Sequence, residues 1–143
     1  MRSVLLILVF FLFSASPGFS DDREDAETAA GLVVRMFDEK KFSELWDSLT
    51  HSLFKKNLTR DQFLANMTIG RSTFGRMTSS RHISTDFSKS DPIYNYEGQI
   101  YAITFLNEYG PLRFYERIVM ALDEDGEFRL AGVFGAPAGS PAQ

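Results

Sequence analysis

The sequence predicts an α+β domain in which three N-terminal helices pack on one face of a four-stranded antiparallel sheet. Two observations lead there. Apolar residues recur three and four apart as far as Gly75 and at every second position beyond it, the change of period that separates helix from strand. The strand-like runs are joined by Ser90-Asp91-Pro92, Tyr109-Gly110-Pro111 and Asp123-Glu124-Asp125-Gly126, and connections that short link antiparallel neighbours.

The chain begins with an address. Arg2 precedes ten consecutive apolar residues, Val4 to Phe13, then the small-residue stretch Ser14 to Ser20 and the acidic pair Asp21-Asp22. This is the layout of a secretory signal peptide, with cleavage expected after Ser20. A membrane span needs about 20 apolar residues, so this run is too short to be one. Residues 1–20 are therefore read as signal peptide, 21–135 as a single domain and 136–143 as a flexible tail. The product is expected in the periplasm or outside the cell, with no stable membrane span once the signal has gone.

Three helices follow. From Glu24 to about Lys40, Ala26, Ala29, Ala30, Val33, Met36 and Phe37 share a face, and Asp21, Asp22, Glu24 and Asp25 crowd its positive end. The second helix starts near Phe42, with Leu45, Trp46 and Leu49 continuing the stripe. The third starts after Thr59, where Thr59 and Gln62 form a capping box and Leu58 with Phe63 a hydrophobic staple. Its end is open between Gly70 and Gly75.

The strands alternate. Between Arg76 and Ser88, Arg81, Ile83, Thr85 and Phe87 fall on one face and Ser80, His82, Ser84 and Asp86 on the other. In the second strand, Tyr96 to Glu108, Tyr101, Ile103 and Phe105 oppose Ile100, Ala102, Thr104 and Leu106. The third, Leu112 to Leu122, sets Phe114, Glu116, Ile118 and Met120 against Tyr115, Arg117, Val119 and Ala121. The last runs from Glu127 to Phe134. The second and third strands are apolar on both sides. One side packs on the helices, and the other is either a dimer surface or an aromatic-rich outer face. Exposed apolar faces of that size mark association, so a homodimer through the sheet is expected.

Composition excludes several functions. The absence of cysteine removes disulfides, thiolate metal sites, cysteine nucleophiles and a lipidated N-terminal cysteine. Without residues 1–20 the chain has 123 residues with 14 basic and 19 acidic groups, a balance that argues against nucleic acid, whose phosphates demand positive charge. There is no Gly-rich phosphate loop, His-Glu-x-x-His, Gly-x-Ser-x-Gly or metal-ligand cluster, so no catalytic residue, metal or cofactor is assigned. His82 and Asp86 share a strand face, but positions four apart on a strand lie about 13 Å from each other, too far for a hydrogen bond. Asn57-Leu58-Thr59 and Asn66-Met67-Thr68 match the glycan acceptor pattern, which has meaning only in a eukaryotic secretory host.

Arg81 and Glu116 are the informative charges. Alternation puts each among apolar neighbours, where an unpaired charge is costly. Neighbouring strands would bring them together, either as an ion pair that fixes sheet register or as the polar floor of a ligand pocket walled by Trp46, Tyr101 and Phe105. A facing misread by alternation is the third reading.

The ordered landmarks from Ala26 to Phe134 resemble a family: the Ala-rich first helix ending in Asp38, Trp46, Phe54, the helix start from Thr59 to Phe63, Gly75 before Ser80-Arg81, Tyr101 to Phe105, Glu116, and Asp125-Gly126-Glu127-Phe128-Arg129-Leu130-Ala131-Gly132. It is the domain-of-unknown-function family numbered 4019, small exported bacterial proteins. The resemblance implies a cone-shaped fold, cystatin-like or nuclear-transport-factor-2-like, which hosts enzymes, ligand binders and dimerisation modules alike. It carries over no catalytic residues. Phe128 and Phe134 stand where the family usually has Trp and Tyr, so two polar handles are missing. The function expected is a non-enzymatic exported module for a small apolar ligand or an envelope protein. The alternative is a small isomerase- or hydrolase-like enzyme using Glu116 in the cone, with Arg81 as electrostatic support.

Overall fold

The computed structural model describes residues 19–139. The expected signal peptide lies outside the described residues except at its last two positions, and so does the tail beyond residue 139. Four helices, one more than expected, precede four strands. They are α1 (Phe19–Asp38), α2 (Phe42–Leu49), α3 (Ser52–Asn57) and α4 (Arg60–Arg71), then β1 (Ser79–Asp91), β2 (Tyr96–Tyr109), β3 (Leu112–Leu122) and β4 (Phe128–Pro137).

Local chemistry explains the boundaries. Helix α1 closes with Lys40 in the left-handed region at φ 57°. The Lys41 N–H reaches the Met36 carbonyl at 2.9 Å and the Lys40 N–H reaches that of Phe37 at 3.2 Å, the paired bonds of a Schellman ending. The extra helix, α3, is capped by an imidazole: Nδ1 of His51 accepts the Leu53 N–H at 2.9 Å. Capping is normally done by Ser, Thr, Asp or Asn, which is why the sequence pattern did not announce it. The capping box of α4 is present, with the Gln62 N–H donating to Thr59 Oγ1 at 3.2 Å and the Thr59 N–H to Gln62 Oε1 at 2.9 Å. The helix stops at Arg71.

The sheet is antiparallel throughout, in the order β1-β2-β3-β4. Gly110 at φ 63° occupies the first position of the two-residue β2–β3 loop, with Pro111 second, as a II′ turn requires. Strand β4 is longer than its apolar pattern, because Ala136 and Pro137 still pair with Tyr115 and Phe114. The tail therefore begins later than the sequence suggests. Three register shifts reshape the ladder: two along β1, between His82 and Ser84 and between Ser88 and Ser90, and one in β4, where Ala131 is the extra residue between the partners of Met120 and Val119.

One face of the sheet carries the core. Ala26, Ala30, Val33 and Phe37 of α1, Leu45 and Trp46 of α2 and Phe63 of α4 pack on Tyr101, Ile103, Phe105, Ile118, Met120 and Leu130. At about 25 cal/mol per Å² of apolar surface buried, this contact supplies the main stabilisation of a chain without cross-links. Among the described residues no helix is long and apolar enough to cross a membrane.

Candidate functional site

Glu116 sits on the helix-facing side of β3, opposite Phe105, and is only 3% exposed. Its partner is Arg71 in the last turn of α4, whose Nη2 lies 2.6 Å from Oε1. The other carboxylate oxygen accepts from Asn107 Nδ2 and from the Tyr109 hydroxyl at 2.9 Å. Arg71 Nη1 also donates to the Tyr109 oxygen at 3.1 Å, and Ser80 Oγ donates to Asn107 Oδ1 at 2.6 Å. The guanidinium lies 4.2 Å from the Phe37 ring centroid and 5.5 Å from that of Phe74, so both of its aromatic neighbours shield it from water. Burial, reinforced by the neighbouring Glu116 charge, pushes the Tyr109 phenol well above the usual tyrosine range. It therefore stays a donor at every physiological pH.

Arg81 is not part of this cluster. Strand β2 separates β1 from β3, and Arg81 faces Leu106 on the opposite side of the sheet, exposed. The cause is the irregularity at Ile83, which breaks the alternation halfway along β1. Ser80 and His82 join Thr85 and Phe87 on the helix side, while Arg81, Ser84 and Asp86 point away. Asp86 there pairs with Arg117 at 2.9 Å. His82 Nε2 lies 2.8 Å from Thr85 Oγ1, which donates to Glu27 of α1 at 2.6 Å. The bond from Thr85, against a smaller opposing effect of burial, holds the Glu27 carboxyl below its ordinary range. His82 and Asp86 thus lie on different faces, not on the single face that strict alternation gives them.

Trp46, Tyr101 and Phe105 do not wall a pocket at Glu116. Trp46 packs on Phe63 at 5.1 Å, Tyr101 edge-on to Phe128 at 5.5 Å, and Phe105 near His82 at 5.9 Å, all as core. The cavity beside Glu116 lies elsewhere, between α4 and β4. An inner cup of about 210 Å³ is bounded by Met67, Arg71, Phe74, Phe114, Glu116 and Val133. An outer cup of about 260 Å³ adjoins Phe54, Leu58, Tyr94, Val119 and Phe134. Both cups touch Asn66, Met67 and Val133, so they form one groove along the sheet edge. Phe74 roofs its inner end, stacked on Tyr109 at 4.8 Å and edge-on to Phe114 at 4.8 Å. Sequence reasoning found Glu116 but missed Arg71, which lies at the C-terminal end of a helix where a basic residue reads as a dipole complement.

A second buried polar knot ties α3 to the β3–β4 turn. Ser52 donates to Asp123 through its hydroxyl at 2.8 Å and its N–H at 3.1 Å, and the Glu124 N–H adds 2.9 Å. Since His51 Nδ1 accepts from Leu53, its proton is on Nε2, 3.3 Å from the Leu122 carbonyl. The serine faces the carboxylate and not the imidazole, so this is a structural clasp without the geometry of an activated nucleophile. Among the described residues no group of three or more His, Cys, Asp or Glu is placed to hold a metal ion.

No curated protein and no solved structure matches the chain. Over residues 29–133, which run from the second half of α1 into β4, it matches the family model described as protein of unknown function (DUF4019), and the chain belongs to that family.

Proposed function

We propose that this protein is an exported, non-enzymatic binding module whose groove between α4 and β4 receives an apolar ligand or partner segment. The state of Glu116 carries this reading. A general base needs a carboxylate oxygen within reach of the substrate proton, whereas both oxygens of Glu116 are already engaged by Arg71, Asn107 and Tyr109. The isomerase- or hydrolase-like alternative would have to dismantle that network. What the groove offers instead is apolar lining from Met67, Phe74, Phe114 and Val133 over a neutralised ion pair, the usual make-up of a ligand site.

Helices followed by a four-stranded antiparallel sheet are compatible with the cystatin-like or nuclear-transport-factor-2-like cone that the family resemblance implies. Such folds bind and catalyse alike, so the reading rests on the site. Export rests on the composition of residues 1–20, and a homodimer through the outer sheet face on exposed Tyr115 and Phe134.

The test is native mass spectrometry of the protein purified from the envelope of its own cells, together with binding of the apolar dye 1-anilinonaphthalene-8-sulfonate. A retained small molecule, and dye binding weakened at least tenfold by Met67→Glu, are expected. An empty protein whose dye binding is indifferent to that substitution would sink the proposal. Turnover of an ester or ketosteroid panel, abolished by Glu116→Gln, would favour the enzyme.

A further inference from the structure

The two edges of the sheet are defended differently. Strand β1 ends the sheet on one side and carries Arg81, His82, Asp86, Lys89 and Asp91. Charges like these are how sheet edges deter a further strand. Strand β4 ends the other side, and its stretch Gly132-Val133-Phe134-Gly135-Ala136 has no charge at all. Phe134 is 63% exposed.

The same edge is already used as a template by the chain itself. Thr50 forms a parallel bridge with Leu130, and the His51 N–H donates to the Leu130 carbonyl at 2.8 Å. The segment then turns away into α3 at Ser52. Among the described residues no other segment bridges β4 on that side, and the groove opens beside the part left bare. The inner cup lies on the helix side of the sheet, and the outer cup wraps the β4 edge, from Phe54, Leu58 and Met67 on the helix side to Val119 and Phe134 on the other. Val133, opposite Ile118, lines both cups, and Phe134, opposite Arg117, lines the outer one. An added strand sends successive side chains to opposite faces, and each cup has room for one or two large apolar side chains.

We propose that the occupant of the groove is an extended polypeptide segment, which adds to the Gly132–Ala136 edge as a fifth strand and places large apolar side chains in both cups. This deepens the binding-module reading and rests on it. Backbone hydrogen bonds to β4 supply the affinity and the two cups the selectivity, as in strand addition generally. The partner is an apolar, Pro-poor stretch of a protein chain, since proline would lack the needed N–H.

The probe is a capped nine-residue peptide of alternating valine and threonine with a central phenylalanine. Its twin carries N-methyl groups on two adjacent central amides, which blocks both of its edges while keeping the side chains. The peptide is expected to slow amide exchange at Gly132–Ala136 at least tenfold, and the twin to bind at least tenfold more weakly. Equal binding of the twin, or protection at β1 instead of β4, would overturn strand addition. So would concentration-dependent protection of β4 without peptide, which would mean that a second copy is the partner. Dye binding in the groove with no peptide binding retires the fifth strand and leaves the binding module standing. Failure of both retires both.

Discussion

Replacing Glu116 by alanine leaves the Arg71 guanidinium, itself 7% exposed, buried without its counter-ion. Breaking such a pair from one side costs about 3–5 kcal/mol, whereas replacing both partners with apolar groups is often close to neutral. Chemical denaturation should therefore show a large loss for Glu116→Ala and less than half of it for the double substitution Arg71→Met with Glu116→Leu. An equal loss in both would mean that the Asn107 and Tyr109 hydrogen bonds matter more than the charges. Asp123 gives the pH dependence. Burial alone would raise its carboxyl, but the N–H groups of Glu124 and Ser52, the Ser52 hydroxyl and nearby His51 outweigh it and hold the group below its ordinary range. A carboxyl depressed in the folded state contributes stability above its unfolded value of about 3.9, and that contribution is lost as pH falls through the lower folded value. Asp123→Asn should lower stability at neutral pH and make the acid limb of the stability curve shallower. An unchanged acid limb would show that the clasp does not feel the charge.

At the scale of elements, the irregularity in β1 decides which residues reach the core. Alternation places Arg81 beside Thr85 and Phe87; the register shift between His82 and Ser84 turns it away and brings Ser80 and His82 inward. Deleting Ile83 would restore strict alternation along the strand. His82 then runs straight into Ser84, so Ser80, His82, Thr85 and Phe87 keep the helix side and Arg81, Ser84 and Asp86 the other. The bond of Thr85 to Glu27 and the contact of Phe87 with Tyr101 at 5.0 Å survive, and the deletion should cost less than about 2 kcal/mol. One alanine inserted between Thr85 and Asp86 instead reverses the side chains on one side of it, and it should destabilise by more than about 2 kcal/mol, as burial of an unpaired polar group does. An Ile83→Ser substitution should cost less than about 1 kcal/mol, since Ile83 is exposed. Similar melting temperatures for the deletion and the insertion would show that the irregularity does not set the facing. Helix boundaries follow the same logic on a smaller scale. Thr59 and Gln62 announced α4, but α3 was silent because its cap is the ring of His51.

At the scale of the whole molecule, the two sheet faces differ in what covers them. The helix-facing side closes over Ile103, Ile118 and Met120. The far side keeps Tyr115 and Phe134 exposed beside the Arg117–Asp86 pair. A homodimer built on that side should appear in a sedimentation concentration series and be weakened by Tyr115→Lys, which puts like charges across the dimer axis. A single monomeric species across the series would discard it. The pair also predicts salt sensitivity, because exposed charges are screened over about 8 Å at 0.15 M ionic strength.

The sequence by itself determined the fold class, the strand order through its short turns, the capping of α4 and the shared face of Glu116, Ile118 and Met120. These depend on neighbours within a few positions, where periodicity and turn chemistry act directly. Only the tertiary structure decided the partner of Glu116. Arg71 is 45 positions away in the chain, on a helix whose packing angle no local pattern encodes, and Arg81 was turned outward by one extra strand residue. The groove was likewise invisible, since it is the gap left between α4 and an edge strand rather than a property of either. Trp46, Tyr101 and Phe105 suited a pocket wall by type, yet they fill the core because an aromatic ring is stabilised wherever it leaves water. What lies beside it is a matter of assembly.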